Sequence, residues 1–293
     1  MPAPILFCGD PLRPRRTDEH FAAEADAVRA ADGRVALIDH DALLRGDAAA
    51  AVLRVPRDLG PVWYRGWMIP ADRYRDLSTA LAGRGADLLV SPDDYRRAHE
   101  LPGWYDTFVD VTPRTVWTPL APGAVPSIDD VAALVAPLGK GPAVIKDFVK
   151  SRKHDWAEAC YIPDLDDLVN AHRVIRRFVQ LQEDSLVGGV VVRAFEQFVA
   201  AGLDAGEARV WWLDGEPILV GPHPDTPDRA PRPDLAHLKP LVAALGARFV
   251  TTDLARHADD GWRVVEVGDG QVSDLPRTVD AALLLGSLLD ARR

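Results

Sequence analysis

The chain is poor in sulfur: its 293 residues hold two cysteines, Cys8 and Cys160, and two methionines. So few cysteines cannot build a disulfide framework, which excludes the small cross-linked secreted scaffolds and fits a reducing compartment, so a cytoplasmic location is expected. Long hydrophobic runs are missing as well. The apolar start Pro4–Cys8 is too short for the core of a signal peptide, and no stretch approaches the roughly 20 residues of a membrane-spanning helix. His99, His154, His172, His223, His237 and His257 are scattered, without the close spacing of a zinc site. Neither a G-x-G-x-x-G loop nor a G-x-S-x-G elbow occurs, which removes a standard dinucleotide-binding turn and an α/β-hydrolase nucleophile. Positive charge is in deficit: 34 Lys and Arg against 44 Asp and Glu leave a net charge of −10. A broad nucleic-acid face rests on clustered Lys and Arg and is not expected here.

What is present is a chain 47% hydrophobic and 27% charged, an ordinary globular composition with enough length for two or three lobes. Its first third alternates strand and helix. Ile5–Gly9, Arg34–Asp39, Pro61–Ile69 and Ala86–Val90 read as strands, with helices from Thr17 or Asp18 to Gly33 and from Pro70 to about Gly83. That rhythm predicts a small parallel sheet with helices on its faces. A Pro-rich connection, Thr112 to Gly123, marks a boundary between residues 1–112 and 113–293. Beyond it Ser127 and Asp130 form a capping box. Strands are predicted at Ala143–Phe148, Gly189–Arg193, Ala208–Leu213 and Glu216–Val220, and helices at Asp164–Gln182, Pro233–Leu245 and Val279–Ala291. These elements do not simply alternate, so the second part reads as α+β.

Charges placed in apolar strands are the candidates for chemistry, because a buried charge needs a partner. Lys146 ends the strand Ala-Val-Ile-Lys, where it is either a solvated strand end or a point charge for a phosphate. The loop Lys150-Ser-Arg152-Lys-His154 is either a charged surface loop or a lid over a polyphosphate. Arg193 closes Val190-Val-Val and, if buried, needs an anion. Glu196, Phe198 and Val199 form either an outward-facing edge or a hinge whose backbone reads an adenine edge between apolar side chains. Glu207 and Arg209 lie on one strand face, two residues apart; they are an exposed ion pair or a clamp for ribose and phosphoryl groups. The final hairpin, from Phe249 to Gln271 around Asp260-Gly261, carries Asp253 on its first strand and Glu266 on its second. Paired carboxylates on adjacent strands suit Mg²⁺, above all one that also holds substrate phosphates. Trp63-Tyr-Arg65-Gly66-Trp67-Met68 is either a packed aromatic strand or an acceptor pocket in which Arg65 pairs a carboxylate beside Trp67.

Lys146, the Glu196 hinge, Glu207-x-Arg209, Asp253 and Glu266, in that order, resemble the ATP-grasp superfamily. Arg193, Arg209 and Lys146 look like the clade of that superfamily named for two arginines and one lysine. The resemblance runs from about Pro113 to the C-terminus, and the first third is similar to the small Rossmann-like lobe that precedes the grasp. Each motif is short; the specificity lies in five of them keeping their order. The resemblance implies an α/β N-terminal lobe followed by an α+β ATP-grasp domain whose two subdomains grip the nucleotide, with ATP and Mg²⁺ bound. By it Lys146 binds the α- and β-phosphates with Lys150 nearby, Glu196, Phe198 and Val199 hold adenine, and Glu207 holds ribose. Arg209 takes the γ-phosphate, and Lys146, Arg193 and Arg209 form the catalytic set. Asp253 and Glu266 ligate metal. The family's usual Glu-x-Asn is replaced here by Glu266-Val-Gly268-Asp269-Gly-Gln271, so Asp269 or Gln271 must substitute, or the second metal is held differently. The Gly-rich phosphate loop of many relatives is absent too. The implied activity is an ATP- and Mg²⁺-dependent carboxylate–amine or carboxylate–thiol ligase working through an acylphosphate. Its substrates would be small molecules or peptides, with Arg65, Trp67 and Arg152 as acceptor-site candidates and a homodimer as one arrangement. Two other readings stand beside it: a non-catalytic ATP-sensing module, and nucleic-acid processing through the basic Lys140–Lys153 segment.

Overall fold

The computed structural model describes residues 2–199, 206–229, 232–257, 261–276 and 278–291. The N-terminal lobe contains β1 (Ile5–Cys8), α1 (Ala22–Ala30), β2 (Val35–Ile38), α2 (His40–Leu44), α3 (Ala48–Ala51), β3 (Gly60–Tyr64), α4 (Ala71–Ala82) and β4 (Ala86–Leu88). Its four strands form a sheet of order β2-β1-β3-β4, all pairs parallel, as the alternation predicts. Next come α5 (Pro92–His99) and α6 (Leu101–Phe108), two helices that the sequence reading did not identify. Each has a proline in its first turn, and Ser91 caps the first by accepting from the Asp94 amide. Proline there starts a helix rather than breaking one.

The remaining elements are β5 (Thr115–Pro119), α7 (Ile128–Val135), β6 (Ala143–Lys146), β7 (Tyr161–Ile162), α8 (Leu168–Gln182) and β8 (Gly189–Ala194). They are followed by β9 (Glu207–Leu213), β10 (Glu216–Pro222), α9 (Lys239–Leu245), β11 (Phe249–His257), β12 (Gly261–Asp269) and α10 (Ala281–Asp290). They build two antiparallel sheets, β5-β8-β6-β7 and β10-β9-β11-β12. β5 lies inside the Pro-rich connection, an edge strand bounded by Pro113 and Pro119, which is where a sheet tolerates proline. The capping box at Ser127 and Asp130 is present as predicted. The hairpin joining β11 to β12 is confirmed in its strands; residues 258–260 of its turn lie outside the described residues.

Three cores result, and they do not follow the boundary at residue 112. One is the N-terminal lobe, but α10 returns to it: Leu284, Leu285 and Leu288 pack with Phe7 and Trp63, and the Trp63 indole donates to the Leu288 carbonyl at 3.0 Å. The second places α5 and α6 under the β10-β9-β11-β12 sheet, with Trp104 and Phe108 against Trp212 and Val264. The third packs α7 and α8 on the β5-β8-β6-β7 sheet. Residue 112 lies between the parallel sheet and the two antiparallel sheets, while the packing crosses it: Ala98 and α6 pack with the C-terminal sheet and α10 with the first lobe.

Candidate functional site

The two antiparallel sheets face one another across a cleft, and pairing register lines up the charges on its floor. Asp253 on β11 stands opposite Arg209 on β9 and opposite Glu266 on β12, so Glu266, Asp253 and Arg209 form one row across three strands. A register shift directly after Asp253 keeps Glu266 in that row. The next position along the row, on β10, is Gly221, with no side chain to fill it. Lys146 reaches over from the other sheet and donates to both Glu266 oxygens at 2.7 and 2.9 Å.

Arg209 grips Asp253 with two bonds of 2.7 and 2.8 Å, and its third nitrogen donates to the Asp274 carbonyl at 3.1 Å. Burial alone would raise the Asp253 carboxyl; Arg209 and His223 outweigh it and hold the group at about 2. Glu207, mainly through burial and also through the charges of Asp253 and Glu266, is pushed above the usual carboxylate range. Among the described residues none donates a hydrogen bond to its carboxylate. Arg193 is buried: Nε donates to Thr115 at 3.1 Å, Nη1 donates to the Val265 carbonyl, and the guanidinium lies 5.6 Å over the Trp104 ring. Its Nη2 is enclosed and has no partner. An orphaned cationic donor in a cleft wall suits an anion.

Two cavities meet at this row. The first, about 380 Å³, is lined by Lys146, Arg193, Glu196, Phe198 and Glu207, with Ser151 and Lys153 from the basic loop. Its apolar wall is aromatic: Trp156 stacks on Tyr161 at 5.2 Å and 12°, and Phe195 meets both rings edge-on. The chain leaves the sheet after Phe195, whose amide still bonds the Pro142 carbonyl at 2.9 Å, and Glu196 and Gln197 lie outside the strand. The second cavity, about 280 Å³, is bordered by Met68, His99, Arg209, Thr251, Gly268, Ser273 and Asp274. His223, Asp253 and Glu266 line both. A larger open groove of about 810 Å³ runs between β5 and α7 but contains none of these charges.

The cleft thus gathers Lys146, Arg193, Glu196, Phe198, Glu207, Arg209, Asp253 and Glu266, and leaves other candidates out. The Glu196 carboxylate is taken by Arg263 at 2.9 and 3.0 Å, so only its backbone faces a ligand freely. Val199 does not line the cavity; its amide bonds the Arg256 carbonyl at 2.8 Å. Lys150 is exposed and outside the cavity lining, and Lys153 takes its place there, paired with Asp225. Arg152 is engaged elsewhere: it bonds Asp155 at 2.8 Å and the Leu181 carbonyl at 3.0 Å, tying its loop to α8. Arg65 is fully buried, with Glu24 on two nitrogens at 2.6 and 2.8 Å and the Gln271 and Ser273 carbonyls on the third. Four of its five N–H donors are used within the protein and the whole side chain is enclosed, so it clamps the fold. Trp67 borders a separate pocket at the carboxyl ends of β1 and β2, where its indole bonds Asp18 at 3.1 Å.

Asp269 touches the second cavity but is enclosed, its carboxylate accepting from the Gln271 amide and side chain at 2.9 and 3.0 Å. Burial, against those two bonds, pushes it up to about 7, and the enclosed carboxylate is engaged by Gln271 and not turned to the carboxylate row. Gln271 faces Tyr64 and Tyr74. At Gly268 an added Cβ would come within 3.0 Å of the Thr251 hydroxyl and 3.3 Å of the Ser273 hydroxyl, which fill the space of the missing side chain. Two features escaped the sequence reading. Trp156 and Phe195 gave no local signal, because their contact forms only in the tertiary structure. His223, held between Pro222 and Pro224 at the end of β10, had one: a histidine in a proline-stiffened turn. In the basic Lys140–Lys153 segment, Lys140, Lys146 and Lys153 pair with Asp166, Glu266 and Asp225, and Lys150 is exposed.

Residues 137–288, just over half of the chain, match a family of ATP-grasp domains, the third family of the clade named for two arginines and one lysine. No curated protein matches the sequence. Among solved structures, a RimK-domain ATP-grasp protein from Sphaerobacter thermophilus is similar with a TM-score of 0.59 and 17% identity, over 98% of this chain and 99% of that one. The D-cycloserine synthetase DcsG is similar at 0.58 and 16% identity, over 97% and 99%. The ATP-grasp ligase PsnB, solved with a minimal precursor, Mg and ADP, is similar at 0.57 and 17% identity, over 97% and 96%. At these identities the likeness is one of fold.

Proposed function

Because this chain belongs to the ATP-grasp family, in the two-arginine, one-lysine clade, whose ligases use ATP and Mg²⁺ and release ADP, we propose that it joins a carboxylate to an amine or thiol. The observation that carries the reading is the wall of His223, Asp253 and Glu266 shared by two cavities, one aromatic and cationic, the other small and polar. The aromatic cavity suits a nucleotide, with its base between Trp156, Phe195 and Phe198 and its phosphates toward Lys146, Arg193 and Arg209. The smaller one suits the carboxylate that is to be activated. The pocket beside Trp67 is a candidate entry for the acceptor, since His20, next to Trp67, bonds Asp274 at the edge of the second cavity.

In the proposed reaction a substrate carboxylate oxygen attacks the γ-phosphorus, the bond to the bridging oxygen breaks, and ADP leaves. The amine or thiol then attacks the acyl carbon, phosphate departs, and the nucleophile's proton passes to solvent or phosphate. The chain need supply no nucleophile; its work is positioning and charge neutralisation. Asp253 and Glu266 fit a divalent cation: they are register partners whose negative charge is met now by Arg209 and Lys146, the side chains proposed to turn toward phosphate. Bound there, Mg²⁺ supplies charge neutralisation on the phosphates. DcsG is named for a small-molecule product and PsnB was also solved with a precursor peptide, so small molecules and peptides are both in range for this chain. Gly268, in place of the usual asparagine, favours a second reading, a nucleotide-binding module without turnover.

One experiment separates the two. ADP release is measured across a panel of carboxylates and amines for the native chain, Asp253→Asn and Glu266→Gln. Mg²⁺-dependent release that both variants lose supports the ligase. Full turnover in both variants would sink it, and nucleotide binding without release in the native chain would favour the module.

A further inference from the structure

His99, the last residue of α5, is a buried polar side chain left without a polar partner. It is 6% exposed and borders the second cavity, and neither ring nitrogen has a hydrogen-bond partner among the described residues. The ring is fixed all the same. It is the third member of a stack in which Tyr74 and Tyr95 lie 4.0 Å apart at 3°, and Tyr95 and His99 lie 5.0 Å apart at 28°. A buried imidazole costs free energy unless something fills its hydrogen bonds. The other side-chain donors around that cavity are spent. Arg209 is used on Asp253 and the Asp274 carbonyl, and His223 faces Asp253 at 3.4 Å. The Ser273 hydroxyl donates to the Asp269 carbonyl at 2.9 Å, and the Thr251 hydroxyl meets Ser273 at 2.7 Å.

We infer that His99 holds the substrate carboxylate in the second cavity, an inference that rests on the ligase reading above: one ring N–H donates to one carboxylate oxygen, and the other oxygen is left free to attack the γ-phosphate. The ring suits this task because it carries no charge. Burial, aided by the Lys150 and Lys146 charges, pushes the imidazole down to about 3, so it is neutral wherever the substrate carboxylate is ionised near neutral pH. A cation in its place would draw charge away from the nucleophile. A neutral donor orients the carboxylate and leaves its charge to the attacking oxygen. The cavity's own carboxylates do not compete for the ring, since Asp253 and Glu266 pair with Arg209 and Lys146, and Asp274 pairs with His20. Met68, Val149 and Val272 supply an apolar part of the same wall. The expected substrate end is therefore a carboxylate on a short apolar stem.

The test measures Mg²⁺-dependent ADP release with a panel of monocarboxylic, dicarboxylic and amino acids, hydroxylamine serving as the amine, for the native full chain, His99→Phe and His99→Gln. The phenyl ring keeps the stack on Tyr95, and the amide keeps a neutral donor. In His99→Phe the KM of the best carboxylate should rise about tenfold or more while that of ATP is unchanged, and His99→Gln should recover most of the loss. Thermal melting without ligands establishes that the variants are folded. In the native chain the ¹⁵N resonances of the His99 ring should keep a neutral pattern from about pH 5 to 8. One of them should shift when the best carboxylate is added with Mg²⁺ and a non-hydrolysable ATP analogue. An unchanged carboxylate KM in His99→Phe, an equal rise in the ATP KM, or a ring that titrates in that range or does not shift would overturn the inference while leaving the ligase reading intact. No ADP release from the native chain with any acid of the panel would overturn both.

Discussion

Asp269 and Asp253 show how one residue type takes opposite roles within a single hairpin. Asp253 is held at about 2 because, although burial raises it, the Arg209 guanidinium dominates. Its folded value lies below its ordinary one of 3.8, so its stabilisation is present above that value and is lost as pH falls toward about 2. Asp269 is the reverse. Burial lifts it from 3.8 to about 7, so the folded state holds a proton that the unfolded chain has released. Stability should therefore fall as pH rises from about 4 to about 7, by on the order of a few kcal/mol, and level off above. Asp269→Asn keeps an acceptor for Gln271 and removes the titration. Its urea midpoint should stay flat across that window where the native chain's declines, and equal slopes in the two proteins would refute the assignment. At this scale the sequence was legible wherever a charge stood in an apolar strand, as with Lys146, Arg193, Arg209, Asp253 and Glu266. It left Arg65 open between packing and binding, because the buried partner, Glu24, lies 41 positions away on another element.

At the scale of elements, the β11–β12 hairpin turns spacing into geometry. Alternation sends Asp253 and Glu266 to one face, and the irregularity after Asp253 holds the carboxylates side by side. The turn into β8 is equally constrained. Gly188 has a φ of +72°, and a Cβ there would sit 2.2 Å from the Phe148 ring. Phe148 follows Lys146 and Asp147 at the exit of β6, and its amide bonds the Val187 carbonyl at 3.2 Å. Gly188→Ala should cost about 2–4 kcal/mol, combining an unfavourable backbone region with an overpacked contact. The strain falls at the strand that presents Lys146, so nucleotide affinity should weaken as well. Denaturant titration with and without nucleotide checks both effects; unchanged stability would show that Phe148 can move aside.

For the whole molecule, the cleft depends on three cores held in register by elements that cross between them. The Lys146–Glu266 pair links the two antiparallel sheets, and α10 ties the C-terminal end of the chain to the first lobe. Leu288 on α10 is fully buried and its carbonyl receives the Trp63 indole. Leu288→Ala should cost about 2–5 kcal/mol and lower the melting temperature of the first lobe's signal before any change in the cleft. Calorimetry with Trp fluorescence would report it, and a variant melting like the native chain would show that α10 adds little. Among the described residues no helix is long and apolar enough to cross a membrane.

What the sequence determined by itself was whatever is written locally. Strand alternation, capping residues and an ordered series of charges in apolar runs were enough for the lobes, the hairpin and the main carboxylate and cation set, because each depends on residues close in the chain or on the cost of burying a charge. Only the tertiary structure decided which of those charges share a cleft and which are spent elsewhere. Glu196 on Arg263, Arg152 on Asp155 and Asp269 on Gln271 are choices made by packing. The aromatic wall of Trp156 and Phe195, the place of His223 beside Asp253, and the return of α10 to the first lobe join residues far apart in the chain. Such contacts have no period and no spacing to betray them; they exist only once the sheets have closed on each other.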